Sequence, residues 1–104
     1  MAKIKLWLDD LRTPPDETWE WKRTYDEALE FVSKNLVKEI SFDHDLGDNF
    51  TGYTLAKAIE QYAYYGIISS IKWNIHSAKP VGRHNIEMAM KNADKYWKMH
   101  QQNP

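Results

Sequence analysis

Apolar and polar positions follow two different spacings along this chain. Apolar residues at every second position, or in short unbroken runs, predict β-strands, and apolar residues at helical spacing predict helices. Four strands are predicted in this way, at residues 3–8, 19–23, 38–42 and 70–77. Three helices are predicted, at about residues 25–35, between Gly52 and Gly66, and at about residues 83–98.

The ends of these elements have their own sequence signals. Thr24 to Glu27 matches a capping box, which places a helix start directly after Thr24. Gly66 ends the second helix, because glycine readily adopts the left-handed conformation that follows many helices. Two prolines predict a loop at residues 12–18, and "AKPVG" predicts a turn at residues 78–82.

Strands that alternate with helices predict a three-layer α/β domain, in which helices pack on the faces of a parallel sheet. We expect residues 1–104 to form a single domain of this kind, because the chain is too short for two cores. Ligands bind at the carboxyl ends of the strands in such sheets. Polar residues lie at the ends of three of the predicted strands. Asp9 and Asp10 follow the first, Asp43 to Asp45 follow the third, and His76 and Ser77 are the last residues of the fourth. The sequence therefore predicts one polar site at this edge.

The composition narrows the range of partners. Fourteen basic and 15 acidic residues give a net charge of −1, so the molecule is not a polycation suited to duplex DNA. The chain has no cysteine, which excludes disulfides and thiolate chemistry. The apolar stretch in "MAKIKLWLDD" is too short for a signal peptide, and no segment is apolar enough to span a bilayer. We expect a soluble cytoplasmic protein without a membrane partner.

The carboxylates at the predicted sheet edge indicate a cation site. Several carboxylates brought together repel one another unless a cation lies among them, and Mg²⁺ prefers such oxygen ligands. Asp9, Asp10, Asp43 and Asp45 are the predicted ligands of a divalent cation, most simply Mg²⁺. The alternative is that Asp43, Asp45 and Asp48 only solvate a loop and cap the next helix.

Two histidines at strand ends are the feature most suggestive of a reaction. A pair of imidazoles can act as general base and general acid, so His44 and His76, together with Asp43, form the predicted catalytic set. The alternative is that each histidine is a hydrogen-bonded structural residue. His84 and His100 are expected on the surface.

The residues around the start of the last helix predict a phosphate-binding site. Ser77 supplies a hydroxyl, and Arg83 and Asn85 are placed at the helix start, where N–H groups attract anions. Thr51 is a further candidate, with helix capping as its alternative role. The alternating Trp19 and Trp21 are expected to face the core rather than to stack on bases. Three tyrosines near the end of the second helix hint at a contact surface, namely Tyr62, Tyr64 and Tyr65.

The order of these features resembles the response-regulator receiver domain. An acidic pair ends the first strand, Asp43 ends the third, and Ser77 supplies a hydroxyl at the end of the fourth. A loop at residues 11–18 stands where that family has a helix. The fifth strand with its terminal lysine is missing, and Lys79 lies nearby but not at the matching position.

Five ordered segments give a closer resemblance, to the cyclic-phosphate-processing receiver-like proteins of bacteria and phages. They span about residues 4–86 and read "LWLDDLRTPPD", "TYDEAL", "ISFDHDLG", "TGY" and "HSAKPVGRHNI". The resemblance implies a degenerate receiver (flavodoxin-like) fold with a truncated four-stranded parallel sheet ordered 2-1-3-4. It also implies an enzyme acting on cyclic phosphates, including RNA ends in repair systems.

The leading functional hypothesis is a phosphodiesterase that opens a 2′,3′-cyclic phosphate on an RNA end or a cyclic nucleotide. Two alternatives remain open at this point. One is a signalling receiver that accepts a phosphoryl group on Asp43, and the other is a protein that binds a nucleotide, a phosphate or a partner without turnover.

Overall fold

A computed structural model describes residues 2–46 and 51–102 of the chain. It contains four strands and three helices within these ranges. The strands are β1 (Ile4–Leu8), β2 (Trp19–Lys22), β3 (Val37–Phe42) and β4 (Lys72–Ile75). The helices are α1 (Tyr25–Ser33), α2 (Gly52–Tyr65) and α3 (Pro80–Gln102). Every predicted element is therefore present, in the predicted chain order.

The four strands form one parallel sheet in the order β2-β1-β3-β4. This confirms the predicted α/β receiver-like fold and its strand order. The carboxyl ends of β1, β3 and β4 consequently meet at one edge. The backbone ladder continues past the strands, because Asp43 N–H donates to the carbonyl of Leu8 at 2.9 Å and His76 N–H donates to that of Phe42 at 2.9 Å.

The helix ends mostly follow the sequence signals. Thr24 accepts a hydrogen bond from the Glu27 N–H at the start of α1, and Gly66 ends α2 in the left-handed conformation at φ 70°. The third helix is longer than predicted. It begins at Pro80 rather than residue 83 and extends to Gln102 rather than residue 98. Proline fits the first helical position, where its missing N–H costs no helical hydrogen bond.

All three helices pack on the same face of the sheet. The core on this face is built from sheet residues together with apolar residues of the helices, and its sheet members include Leu6, Leu8, Ile40, Phe42 and Ile75. Trp73 of β4 donates its indole N–H to Asp94 of α3 at 2.9 Å. The ammonium of Lys22 in β2 lies over the Phe31 ring of α1. These contacts link both outer strands to the helical layer.

The opposite face of the sheet has no described helix, and we call it the helix-free face. Strand register places the following residues on it: Lys5, Trp7, Trp19, Trp21, Glu39, Ser41, Lys72 and Asn74. The third layer of the predicted architecture is therefore loop 9–18 and not a helix. This loop contacts the face through Trp7, which donates its indole N–H to the Arg12 carbonyl at 2.8 Å, and through Lys5, which donates to Thr18.

Connection handedness explains why only a loop reaches this face. Parallel strands are joined by right-handed crossovers. The connections β2 to β3 and β3 to β4 run in one direction across the sheet, so their helices share a face. The connection β1 to β2 runs the other way and falls on the opposite face, where the chain is a proline-containing loop. None of the helices described here is long and apolar enough to cross a bilayer.

Candidate active site

Three titratable side chains from three strand ends meet at the carboxyl edge of the sheet. Asp9 follows β1, Asp43 follows β3 and His76 follows β4. One ligand atom from each lies within 4.8 Å of the others. The convergence that strand order implied is thus present in the structure.

Asp9 is the most constrained member of this cluster. The residue is 2% exposed, and its Oδ1 accepts hydrogen bonds from the N–H groups of Leu11 at 2.9 Å and Arg12 at 2.7 Å. Its Oδ2 lies 2.9 Å from Nε2 of His76. Burial alone would raise the pKa of Asp9, but the two N–H groups and His76 together lower it. Asp9 is therefore an ionised carboxylate held in a fixed orientation.

His76 is held on three sides. Its Nδ1 lies 2.8 Å from the Ser41 hydroxyl, and its ring stacks on Trp7 with a centroid distance of 3.8 Å and an interplanar angle of 4°. Burial lowers the pKa of His76, while the hydrogen bond and charge of Asp9 oppose that shift. A neutral ring fits this network when Nε2–H donates to Asp9 and Nδ1 accepts from Ser41. Both ring nitrogens are then engaged inside the protein.

The negative charge of Asp43 is unfavourable in this site. Its Oδ1 accepts a hydrogen bond from the His44 N–H at 2.9 Å. Burial raises the pKa of Asp43, and the negative charge of Asp9 raises it further. A divalent cation would relieve this repulsion, and carboxylate oxygens are the ligands that Mg²⁺ prefers. The carboxylates of Asp9 and Asp43 therefore fit such an ion, with His76 holding Asp9 in place. Asp10 lines the same pocket but lies outside this three-residue cluster.

Asp9 and Asp43 line a pocket of about 320 Å³, and His76 lies behind Asp9 without lining it. The pocket walls come from the ends of β1, β3 and β4 and comprise Asp9, Asp10, Leu11, Arg12, Asp43, Asp45, Ser77, Ala78 and Lys79. The pocket also contains two cations, Arg12 and Lys79, of which Lys79 pairs with Asp45. Acidic and basic groups together suit a metal ion and a phosphate. A larger groove of about 600 Å³ runs along α2 and is lined by Tyr64 and Tyr65 but not by Tyr62. The cluster of Asp9, Asp43 and His76 does not line it.

Four further predicted residues lie in or beside this pocket. Asp10 and Ser77 line it, and Ser77 Oγ accepts a hydrogen bond from the Lys79 N–H at 3.3 Å. Asp45 also lines it but pairs with Lys79 and with Nδ1 of His44 at 3.1 Å, so it stands apart from the three-residue cluster. Among the described residues, the ring of His44 makes no other hydrogen bond.

The ring of His44 packs tightly against α3. A Cβ atom added at Gly82 would lie 2.3 Å from Cγ of His44, so the absence of a side chain at this position makes room for the ring. Gly52 has a similar role at the start of α2, where an added Cβ would lie 1.9 Å from the carbonyl oxygen of Asp43. Both glycines therefore support the loop that carries Asp43 and His44.

Three of the predicted phosphate-binding residues do not line the pocket. Arg83 donates from Nη1 to the carbonyl oxygens of Ile75 at 2.6 Å and Ser77 at 3.5 Å, so it supports the chain after β4. Thr51 caps α2 in a capping box with Thr54, which was its alternative role. Asn85 lies in the second turn of α3, because the helix begins at Pro80. Asp48 falls outside the described residues.

Several important residues were absent from the sequence-based set. Arg12 lines the pocket and donates from Nη1 to the His76 carbonyl at 3.3 Å, and Lys79 lines the same pocket. Both could have been proposed from the sequence, because each lies within three positions of a predicted site residue. Ser41 and Trp7 hold His76 from the helix-free face. The signal for Ser41 was a polar residue inside the apolar run of β3.

The fold and this site together define a receiver-like α/β domain with an acidic pocket at the carboxyl edge of its sheet. The family model described as "Cyclic-phosphate processing Receiver domain" matches residues 4–92. The chain therefore belongs to that family. Searches of curated proteins and of solved structures found no match.

Proposed function

We propose that this domain is a Mg²⁺-dependent phosphodiesterase that opens a cyclic phosphate on a nucleotide or on an RNA end. The observation that carries the proposal is the meeting of four carboxylates, Asp9, Asp10, Asp43 and Asp45, with Arg12 and Lys79 in one pocket. Acidic and basic groups in the same small cavity suit a metal ion together with a phosphate. Membership of a family associated with cyclic-phosphate processing supports the same conclusion.

Asp9, Asp10 and Asp43 would hold the cation. A bound Mg²⁺ supplies positive charge that stabilises the negative charge developing on phosphoryl oxygens. Arg12 and Lys79, the latter paired with Asp45, would contact phosphoryl oxygens, and the Ser77 hydroxyl would donate a further hydrogen bond. His76 does not touch the substrate in this proposal. It orients the Asp9 carboxylate, since both of its ring nitrogens are already engaged by Asp9 and Ser41.

Proton transfer is assigned to His44. Its imidazole takes a proton from water as the water oxygen forms a bond to phosphorus. The P–O bond to one ribose oxygen then breaks, and the imidazolium returns the proton to that leaving oxygen. The products are a phosphomonoester and a free ribose hydroxyl, which balances the atoms of the cyclic ester and one water.

The test is a panel of 2′,3′- and 3′,5′-cyclic mononucleotides and RNA oligonucleotides with a 2′,3′-cyclic end, each with Mg²⁺ and with EDTA. We expect Mg²⁺-dependent conversion of at least one class to a monoester, followed by chromatography. No conversion of any substrate by the folded protein at high concentration would contradict the proposal. Conversion that continues in EDTA would show that the reaction needs no metal ion and that the side chains alone catalyse it.

One observation favours a second candidate function. Lys79 lines the pocket that contains Asp43, so this carboxylate and a lysine are near each other within the described residues. This pairing suits a signalling receiver that accepts a phosphoryl group on Asp43. A small phosphodonor should then add one phosphoryl group by mass spectrometry, and Asp43→Asn should abolish the addition.

Replacing Gly82 by alanine tests the assignment of His44. Alanine normally stabilises a helix by about 1 kcal/mol relative to glycine. Here the new Cβ would overlap the His44 ring and force it to move. We expect turnover to fall about tenfold or more, within the range of a misplaced proton-transfer group, while the melting temperature changes little. Equal turnover of the variant and the wild type would remove His44 from the mechanism.

A further inference from the structure

The helix-free face offers a surface of tryptophans and cations beside the candidate active site. Trp19 and Trp21 are half-buried, and Lys72 and Asn74 at the other side of the sheet are exposed. Strand register aligns Trp19, Lys5, Glu39 and Lys72 in one row across the sheet. The sequence prediction that Trp19 and Trp21 face the core is therefore wrong, because the core lies on the other face.

A cation lies over each of these half-buried rings. The ammonium of Lys5 lies 4.5 Å from the centroid of Trp19, and the guanidinium of Arg23 lies 5.0 Å from that of Trp21. On the helix-free face, Lys5, Arg23 and Lys72 carry three positive charges and Glu39 carries one negative charge. Asp16 of loop 9–18 lies nearby, since it accepts a hydrogen bond from the Thr18 hydroxyl that Lys5 contacts. Rings flanked by positive charge bind single-stranded nucleic acid, because bases stack on the rings while the cations attract phosphates.

The face is continuous with the site. The rings of Trp19 and Trp7 meet edge to face at 5.7 Å, and Trp7 stacks on His76 at 3.8 Å. His76 in turn contacts Asp9 of the pocket. On β4, Asn74 lies two residues before His76 and therefore on the same face. Trp7 and His76 are themselves largely buried, so a polymer whose end occupies the pocket would reach the helix-free face past the exposed Asn74 and Lys72 of β4.

We infer that the helix-free face binds single-stranded RNA on the 5′ side of a terminal cyclic phosphate, an inference that rests on the proposed function. A 2′,3′-cyclic phosphate requires the ribose 2′ oxygen and lies at a 3′ end, so the chain that precedes it is RNA. Trp19 stacks on a base of this segment, and Lys72 and Lys5 contact its phosphates. The preferred substrate is consequently an RNA end and not a free cyclic nucleotide.

The experiment measures binding and turnover separately on the full chain. A fluorescently labelled short RNA with a 2′,3′-cyclic end is titrated in EDTA and followed by fluorescence anisotropy. Turnover of this RNA and of 2′,3′-cyclic AMP is then measured with Mg²⁺. We expect the RNA to bind at least about tenfold more tightly than the mononucleotide, as one stacked base would provide, and its affinity to fall with salt.

Charge reversal of Lys72 gives the sharpest variant because this side chain is exposed. Lys72→Glu should weaken RNA binding several-fold and lower kcat/KM on RNA more than on the mononucleotide. Lys98→Glu is the matched control, since Lys98 is exposed on α3 within the helical layer. Trp19→Ala should weaken RNA binding about tenfold, with thermal melting to establish that the variant is folded.

The two proposals fail in different ways. Absence of turnover on both substrates contradicts the proposed function, while the binding titration still tests the surface. Equal affinity for RNA and mononucleotide overturns the surface proposal. Equal effects of Lys72→Glu and Lys98→Glu also overturn it, because they would show attraction to net charge alone.

Discussion

Replacing Asp43 by asparagine is expected to abolish most turnover while leaving the domain folded. Asparagine keeps an oxygen that accepts the His44 N–H but loses the charge that binds a cation. We expect turnover with Mg²⁺ to fall by more than about 100-fold, beyond the loss usual for residues that only support a metal ligand. Mg²⁺ binding, measured by isothermal titration calorimetry, should weaken in parallel.

The same substitution, Asp43→Asn, should raise the stability of the folded state although it lowers turnover. Burial and the neighbouring Asp9 raise the pKa of Asp43, so the ionised carboxylate destabilises the folded state. The folded state therefore binds the proton more tightly, and this contribution to stability is lost as pH rises through the raised pKa. Asparagine lacks this charge, so Asp43→Asn should melt at a higher temperature than the wild type in EDTA near neutral pH.

A control variant separates the site from net charge. Asp26→Asn removes the same charge from an exposed position in the first turn of α1. It should keep wild-type turnover and should not raise the melting temperature. A stable Asp43→Asn variant with wild-type turnover would exclude Asp43 from the mechanism, and with it the proposed cation site.

Most of the fold was predictable because its signals are local. Apolar spacing identified every described strand and helix, and the resemblance to receivers supplied their order. What forms the third layer, a loop and not a helix, was not predictable in this way. It depends on which face of the sheet the β1 to β2 connection crosses. The alternation of Trp19 and Trp21 with polar residues shows that the two rings share a face, but it is the same whether that face is covered or open. The sequence alone therefore placed these rings in the core.

The site was predictable where residues follow strands directly, as Asp9 and Asp43 do. It was not predictable where the role depends on a hydrogen-bond partner from another strand. Ser41 and His76 are 35 positions apart and meet only through the pairing of β3 with β4. Arg83 was predicted to bind phosphate, but its guanidinium donates to the backbone carbonyl of Ile75. Such a partner cannot be identified from the sequence.

Replacing His76 by alanine is expected to affect stability and turnover together. The change leaves the buried Ser41 hydroxyl and one oxygen of Asp9 without their partner, and it removes the ring stacked on Trp7. The free energy of unfolding should fall by about 1–3 kcal/mol, as for a lost buried hydrogen-bond partner. Turnover by the folded fraction should fall by about 10–100-fold, the range for a residue that orients a metal ligand.

Denaturant unfolding and turnover on one preparation distinguish the two roles of His76. A loss of about two to four orders of magnitude in turnover with unchanged stability would make His76 a proton-transfer group and contradict its positioning role. His84→Ala is the control, because His84 is exposed on α3. It should change neither quantity.

A double-mutant cycle with Ser41 completes the test. Ser41→Ala alone should lower turnover, because the His76 ring loses the partner of Nδ1. If the Ser41 hydroxyl acts only through this ring, the two substitutions together should lower turnover no further than His76→Ala alone. If the losses in turnover from the two substitutions multiply, Ser41 and His76 act independently. The contacts from Ser41 through His76 to Asp9 would then not explain the orientation of the Asp9 carboxylate.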